Sequence, residues 1–396
     1  MDIKDAMAGT VTAARDQLTG LSHRLHAHPE VAWTEERAAA WVSGELAGAG
    51  FDVEANACGL PTAFIARSGT GPLHIGICAE YDALPALGHA CGHNIIAAAA
   101  VGTGIALAAA ADDLGLTVTV FGTPAEEGGG GKVYMLERGA FDGVHAAMMV
   151  HPGPVDVAEA RPFAVSHMLV RYRGQATHAA AYPEQGINAA DAFTVAQVAI
   201  GLLRQQLLPS TRVHGIVTHG GDAPNAIPDR TEGRWYVRAE TLDELAGLEP
   251  RVRRCFEAGA LATGCELEIE ADAPPYAEFR NDPDLLPLYR ANAERLGRQF
   301  LATGPDGAAG GDAASAGRMN RASTDMGNVS LVVPAIHPYI GIGSLPAVNH
   351  QKEFAAHCIT PVADQALIDG AIGLAWTAAD AARDEAIRGR LLAGDG

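Results

Sequence analysis

Apolar residues change their spacing block by block along the chain, and the changes mark its elements. Between residue 1 and about 160, helical and extended patterns alternate. Val11–His28 has helical periodicity and stops at Pro29, while Glu35–Ala49 repeats that periodicity and is closed by Gly50. Pro61–Ala66, Leu73–Cys78, Leu116–Phe121 and Ala146–Val150 are apolar runs of strand length, with helices predicted at Ile95–Ala111 and Lys132–Arg138 between them. Such alternation implies a mostly parallel sheet with helices on both faces.

The rhythm then changes. A strand at 164–172, a helix at 187–207, strands at 211–219 and 230–239, a helix at 242–263 and a strand at 265–271 give the β-α-β-β-α-β order of a ferredoxin-like α+β unit. Alternation of helix and strand resumes with a helix at 283–297, a strand at 329–334 and a long helix at 361–388. The small-sided stretch Gly307–Ala316 reads as a flexible loop. With 396 residues the chain exceeds one ordinary core. The economical topology is one α/β domain, residues 1–162 and 275–396, interrupted by an inserted domain at 163–274. Arg161-Pro162 and Pro274-Pro275 are the expected hinges.

Charge narrows the partners. The 47 acidic against 28 basic residues leave a net charge of −19, which argues against nucleic acid and against an anionic membrane surface. No run reaches the ~18 apolar residues a membrane helix needs; the Ala-rich Ile95–Ala111 comes nearest and ends in Asp112-Asp113. The first residues lack the basic and apolar regions of a secretory signal, and six scattered cysteines do not form a disulfide framework. A cytoplasmic location with reduced thiols is expected.

Candidate chemistry concentrates where strands should end. Glu80–Asn94 places Asp82, His89, Cys91 and His93 on the loop after the Leu73–Cys78 strand. Carboxylate, imidazole and thiolate are ligand types for a zinc-like metal, and open α/β sheets bind ligands at the carboxyl ends of their strands. Alone this stretch could be a structural loop with a buried cysteine. Glu126-Glu127 follows the next strand, and adjacent carboxylates on a turn suit two tasks, holding a metal and moving a proton. In isolation the pair reads as a solvated acidic turn, His151 as a structural residue after its strand, and His350 as a loop residue. Together they suggest a hydrolytic metal centre.

These segments, with Leu25–Glu30, Gly174–His178, Gly220–Asp229, Ser323–Asn328, Ile336–Pro338 and Asn349-His350, carry a resemblance that runs almost end to end. The chain resembles the aminoacylase/carboxypeptidase G metallopeptidases (peptidase family M20). Within them it resembles the amidohydrolase branch with auxin-conjugate hydrolases, aminobenzoyl-glutamate hydrolase and β-alanyl-lysine dipeptidase-like proteins. The resemblance implies a zinc-exopeptidase-like α/β domain with an inserted lid that also makes a homodimer. It implies two divalent metal ions per chain, zinc first, with manganese, cobalt or nickel as substitutes. Carried over position by position, Cys91, His93, Glu127, His151 and His350 match the metal ligands and Glu126 the catalytic base. His178 matches a lid histidine that reaches the active site, often from the neighbouring subunit, and Asn225 a position that holds the substrate's amide or carboxylate.

One departure matters. Many relatives carry a His-x-Asp ligand pair where this chain has Glu80-Tyr-Asp82, so Cys91 and His93 must supply that coordination and Asp82 is expected to orient a ligand; His89 is the runner-up ligand, read as a supporting or packing residue. His23, His26 and His28 have a near-helical spacing that could suggest metal, but the resemblance makes their segment a structural lead-in; it also places Asp325 and His337 near the substrate pocket, without direct catalysis. Gly128–Gly131 lacks the Lys-Ser/Thr of a P-loop and reads as a turn beside the base, and Cys78 and Cys265 as core residues. The expected activity is metal-dependent hydrolysis of the amide bond of an N-acyl amino acid or dipeptide-like molecule by a metal-activated water. Its alternatives are a dipeptidase or carboxypeptidase acting on short peptides and, from a different class, a non-catalytic binding protein of the same fold. The intact Glu126 and ligand set argue against the last.

Overall fold

A computed structural model describes residues 2–300 and 322–394; the stretch Gly307–Ala316 lies outside them. The chain divides into two compact units, Met1–Pro162 with Phe279–Gly396, and Phe163–Glu278.

The first unit is built on a six-stranded sheet in the order Asp52–Ala55, Phe64–Ser68, Leu116–Thr123, Leu73–Glu80, Ala146–Met148 and Ala335–Ile336. The first two joins are antiparallel and the other three parallel, a mainly parallel sheet flanked by helices. Leu73–Glu80 and Leu116–Thr123 are buried along almost their whole length, as strands covered on both faces must be. Ile75, Ile77, Val118 and Val120 face a core shared with Leu18, Val101, Leu367 and Leu374. Cys78 and Phe121 face the opposite one with Met135, Met149 and Val329.

The helix His93–Ala109 runs through the centre of this unit and is buried around nearly its full circumference. Its small residues let neighbours approach: a Cβ at Gly102 would lie 2.9 Å from Leu18 Cδ1 and 3.0 Å from the Ala371 Cβ. Among the described residues, no helix is long and apolar enough to cross a membrane.

Three local readings change. The helix expected over 11–28 is two, Ile3–Ala13 and Arg15–Ala27, broken where Ala14 leaves helical dihedrals. The expected strand at 329–334 is instead the helix Met326–Ser330 and a turn. Met326, Val329 and Val333 pack into one core while Val332 is exposed, a spacing of three to four rather than two. The edge strand Asp52–Ala55 carries too little apolar signal to be seen in sequence.

The second unit is a four-stranded antiparallel sheet in the order Glu266–Tyr276, Ala164–Arg173, Arg230–Ala239 and Arg212–His219. Its helices Ala189–Leu203 and Leu242–Thr263 complete a β-α-β-β-α-β order. Strict alternation in Arg230–Ala239 sends Thr231, Trp235 and Val237 inward, and Trp235 and Val237 join Tyr172, Phe193 and Phe256 in the core. Pro274-Pro275, expected as a hinge, lies inside the strand Glu266–Tyr276 at a bulged stretch of its pairing. The division between the units falls a few residues later, at Glu278/Phe279.

Candidate metal centre

Strand ends of the first unit deliver the site. Glu80 closes the strand Leu73–Glu80, Glu126 and Glu127 follow Leu116–Thr123, and His151 opens the short strand His151–Gly153, which pairs in parallel with Tyr339–Gly341. Cys91 and His93 flank Gly92, whose φ of +80° turns the loop into the central helix. A Cβ at Gly92 would lie 2.4 Å from Pro152 Cγ, so glycine alone admits the Pro152 ring and lets His151 approach Cys91. His350 is tied to the same loop, its N–H donating to the Ala90 carbonyl at 2.8 Å.

The side chains converge. Cys91 Sγ is 3.5 Å from His151 Nε2, and His93 Nε2 is 3.6 Å from Glu80 Oε2, 3.8 Å from Glu126 Oε2 and 3.9 Å from Glu127 Oε1. His350 Nε2 is 3.5 Å from Glu127 Oε1, an ion-pair distance rather than a well-formed hydrogen bond. Their donor atoms form three groups, each within 4.8 Å: Cys91, His93 and His151; Cys91, Glu127 and His350; and Glu80, His93 and Glu126. Cys91 belongs to the first two.

Asp82 makes its oxygens bind two site elements at once. His93 Nδ1 hydrogen-bonds to Oδ1 at 2.9 Å, which turns Nε2 toward the cluster, and the Glu127 N–H donates to Oδ2 at 2.9 Å. His93 Nε2, Glu80 Oε2 and Glu127 Oε1 are buried with no hydrogen-bond partner. A buried polar atom left unpaired costs about 1–3 kcal/mol, and three such atoms facing one another beside a thiol suit a cation. The donor set of sulfur, imidazole and carboxylate fits divalent transition metals, zinc among them.

Charge around the cluster points the same way. Burial would raise the Cys91 thiol, but His151 and His350 pull it down to about 6. Burial also opposes ionisation of Glu127, yet His350 holds it at about 2. Burial, then Glu80 and Glu127, push the Glu126 carboxyl well above the usual range.

Sequence patterns did not reveal the support beneath. Lys132 is fully buried and donates to Glu80 Oε1 at 2.6 Å and to Asp325 Oδ1 at 2.7 Å; its own N–H donates to Asp325 Oδ2 at 2.9 Å. Burial would depress this ammonium, but Asp325 and Glu80 more than reverse that. Glu80 is thereby held ionised at about 2 against its own burial. Its position at the end of an apolar strand was a usable signal, whereas Lys132 pairs with residues too distant in sequence to give one. His89 is buried and stacks on His26 with ring centroids 6.2 Å apart, and it joins none of the donor groups found among the described residues. His337 is buried against His151 and Phe279, and neither of its ring nitrogens has a hydrogen-bond partner.

In the second unit, His178 and Asn225 lie on neighbouring exposed loops, joined where the Ala179 N–H donates to the Asn225 carbonyl at 2.9 Å. His178 Nδ1 accepts from the N–H groups of Ala180 at 3.3 Å and Ala181 at 3.2 Å, so a neutral ring carries its proton on Nε2.

A cradle of thiol, imidazole and carboxylate donors at the carboxyl ends of a mainly parallel sheet defines a candidate metal centre. The profile of peptidase family M20/M25/M40 matches residues 77–347, and the chain belongs to that family. It is 39% identical over 402 aligned residues to the Xaa-Arg dipeptidase of Mus musculus, covering 96% of this chain and 88% of the relative. It is 32% identical to one of the subunits of the p-aminobenzoyl-glutamate hydrolase of Escherichia coli, over 66% of this chain and 59% of the relative. A dinuclear metal-binding M20 peptidase from Bacillus subtilis shares the fold, with a TM-score of 0.63 at 22% identity over 91% of this chain and 98% of its own. The chain is an amide-bond hydrolase of this family.

Proposed function

We propose that the protein cleaves the amide bond of dipeptide-sized molecules or N-acyl amino acids, with dipeptides ending in a basic residue as the first candidates. The observation that carries the reading is the pair of donor groups sharing Cys91, with the buried Glu126 beside them. The Xaa-Arg dipeptidase, similar over nearly the whole chain, supports the choice of dipeptides.

Cys91, His93 and His151 would hold one divalent cation, and Cys91, Glu127 and His350 the other, with zinc favoured by the sulfur and imidazole donors. When bound, the cations supply Lewis acidity that polarises an amide carbonyl and acidifies water. Glu126 takes the proton from the attacking water and passes it to the leaving amine, a task its raised carboxyl pKa favours. Asp82 fixes the tautomer of His93 and the backbone of Glu127. His178 donates from Nε2 to the carbonyl oxygen as charge builds there, and Asn225 holds the substrate's amide or carboxylate. We further assign residues 163–278 as a lid through which the chain forms a homodimer, and a cytoplasmic location to the protein. These assignments rest on the resemblance of the motifs around His178 and Asn225, the acidic charge and the unpaired cysteines.

The test is product analysis on a panel of dipeptides and acyl-amino acids with zinc, manganese, cobalt and nickel added in turn. Release of free amino acid from Xaa-Arg or Xaa-Lys dipeptides is the expected result. Turnover of acyl-amino acids alone would move the substrate class, and no hydrolysis of any member by metal-loaded protein would sink the reading.

A further inference from the structure

Glu35 is a fully buried carboxylate that the chemistry above leaves unused. It precedes the helix Glu36–Gly48, yet its side chain makes no capping bond to that helix. It reaches across the fold instead. The Ala125 N–H donates to Oε1 at 2.8 Å, and Thr62 Oγ1–H donates to Oε2 at 3.0 Å.

Both contacts lead to the site. Ala125 immediately precedes Glu126 and is held at a φ of +57°, a left-handed conformation that an alanine keeps only where its surroundings impose it. Its carbonyl accepts from the N–H groups of Gly129 at 3.0 Å and Gly130 at 2.8 Å, so Glu35 fastens one side of the residue and the glycine turn the other. The Thr62 carbonyl accepts from the Tyr81 hydroxyl at 2.5 Å, and Tyr81 stands between Glu80 and Asp82. Glu35 therefore joins the turn that bears Glu126 and Glu127 to the strand end that bears Glu80 and Asp82.

We propose that Glu35 is a positioning residue for amide hydrolysis: it locks the left-handed Ala125 turn and so sets the direction in which Glu126 presents its carboxylate to the water it deprotonates. This rests on the assignment of Glu126 as the base. A misplacement of about 1 Å at a reacting group lowers turnover by roughly 100-fold, which makes a buried acceptor behind the base consequential.

Two substitutions separate length from charge. Glu35→Gln keeps the reach; its carbonyl accepts from Ala125 and its amide donates to the Thr62 hydroxyl, so kcat should stay within about fivefold of the parent. Glu35→Asp keeps the charge but withdraws the acceptor by one methylene. Its kcat should fall roughly 100-fold, with KM within about threefold and with metal content and circular dichroism unchanged. Parental kcat in the aspartate variant, or an equal loss in both variants, overturns the proposal. Should the aspartate variant fail to fold, Thr62→Val decides: removing one hydroxyl that steadies Glu35 should lower kcat by about tenfold at constant KM, and an unchanged kcat overturns the role. Glu126→Gln assayed alongside tells the two failures apart. Full turnover there sinks the base assignment and this inference with it. An inactive Glu126→Gln beside an unimpaired aspartate variant sinks only the role of Glu35.

Discussion

The residues around Cys91 and those around His178 are polar groups handled in opposite ways. In the first unit all the side chains but the exposed His350 are buried or nearly so, several are bonded to Asp82 or Lys132, and His93 Nε2, Glu80 Oε2 and Glu127 Oε1 are left unpaired. In the second unit His178 and Asn225 stand exposed on loops, fixed by backbone contacts, with water free to satisfy their side chains. Unpaired buried atoms carry a free-energy cost that a ligand or an ordered water removes, so the first region marks itself as a binding site through its own structure. An exposed histidine announces nothing of the kind. Its role is argued from the motif in which it sits.

The largest expected effect falls on the buried region alone. Elemental analysis should find about two divalent ions per chain, and a chelator should remove them together with all turnover. Because the ions bind only the folded state, their removal should also lower stability, by about 2.7 kcal/mol for each ion held at 100 times its dissociation constant. Full activity in chelated protein would remove the distinction between the regions. Next, Glu126→Gln should reduce kcat by about 10²–10⁴-fold with metal content intact. Loss of metal in step with activity would make Glu126 a ligand instead.

His178→Ala turns the question to the exposed region. It should lower kcat by about 10²–10³-fold while KM and bound metal change little, as expected of a donor felt only when charge develops. Parental kcat there would confine the chemistry to the buried region.

The smallest effect is a pH dependence that belongs to burial itself. Burial, then the charge of Asp82, push the Glu35 carboxyl from 4.5 up to about 7. A raised acid contributes its stability below the unfolded pKa and loses it as pH climbs through the folded one. Metal-free Glu35→Gln, which does not titrate, should therefore gain on the parent between pH 4.5 and 7 and level off above, by a few kcal/mol at most. Denaturant titrations at several pH values measure the gap, and a gap independent of pH would show that Glu35 ionises freely.

What could be read in the sequence follows the reach of each interaction. The alternation of strands in the first unit and the β-α-β-β-α-β order of the second are local patterns, so both were legible. Cys91 and His93 share one short loop, and Glu126 and Glu127 one turn, so their grouping was legible as well. Lys132 meets Glu80 and Asp325 only because a strand, a helix turn and a distant loop converge, and a lysine on a helix ordinarily reads as surface. Glu35 is hidden for a related reason: it occupies a helix start, where acidic residues are common, and its partners Thr62 and Ala125 come from other elements. The helix Met326–Ser330 was misread because a few apolar residues fit either period until a core selects one.

Gly92 contributes no chemistry, yet it sets how far this protein can drift. With Pro152 Cγ only 2.4 Å from where a Cβ would stand and a backbone φ of +80°, every other residue is penalised twice at this position. Even alanine would drive the two stretches of chain apart, and His151 would leave Cys91 with them. In a saturation library selected for turnover, the position should return a single residue, a point of zero mutational tolerance beside proposed ligands whose own chemistry leaves some room for exchange.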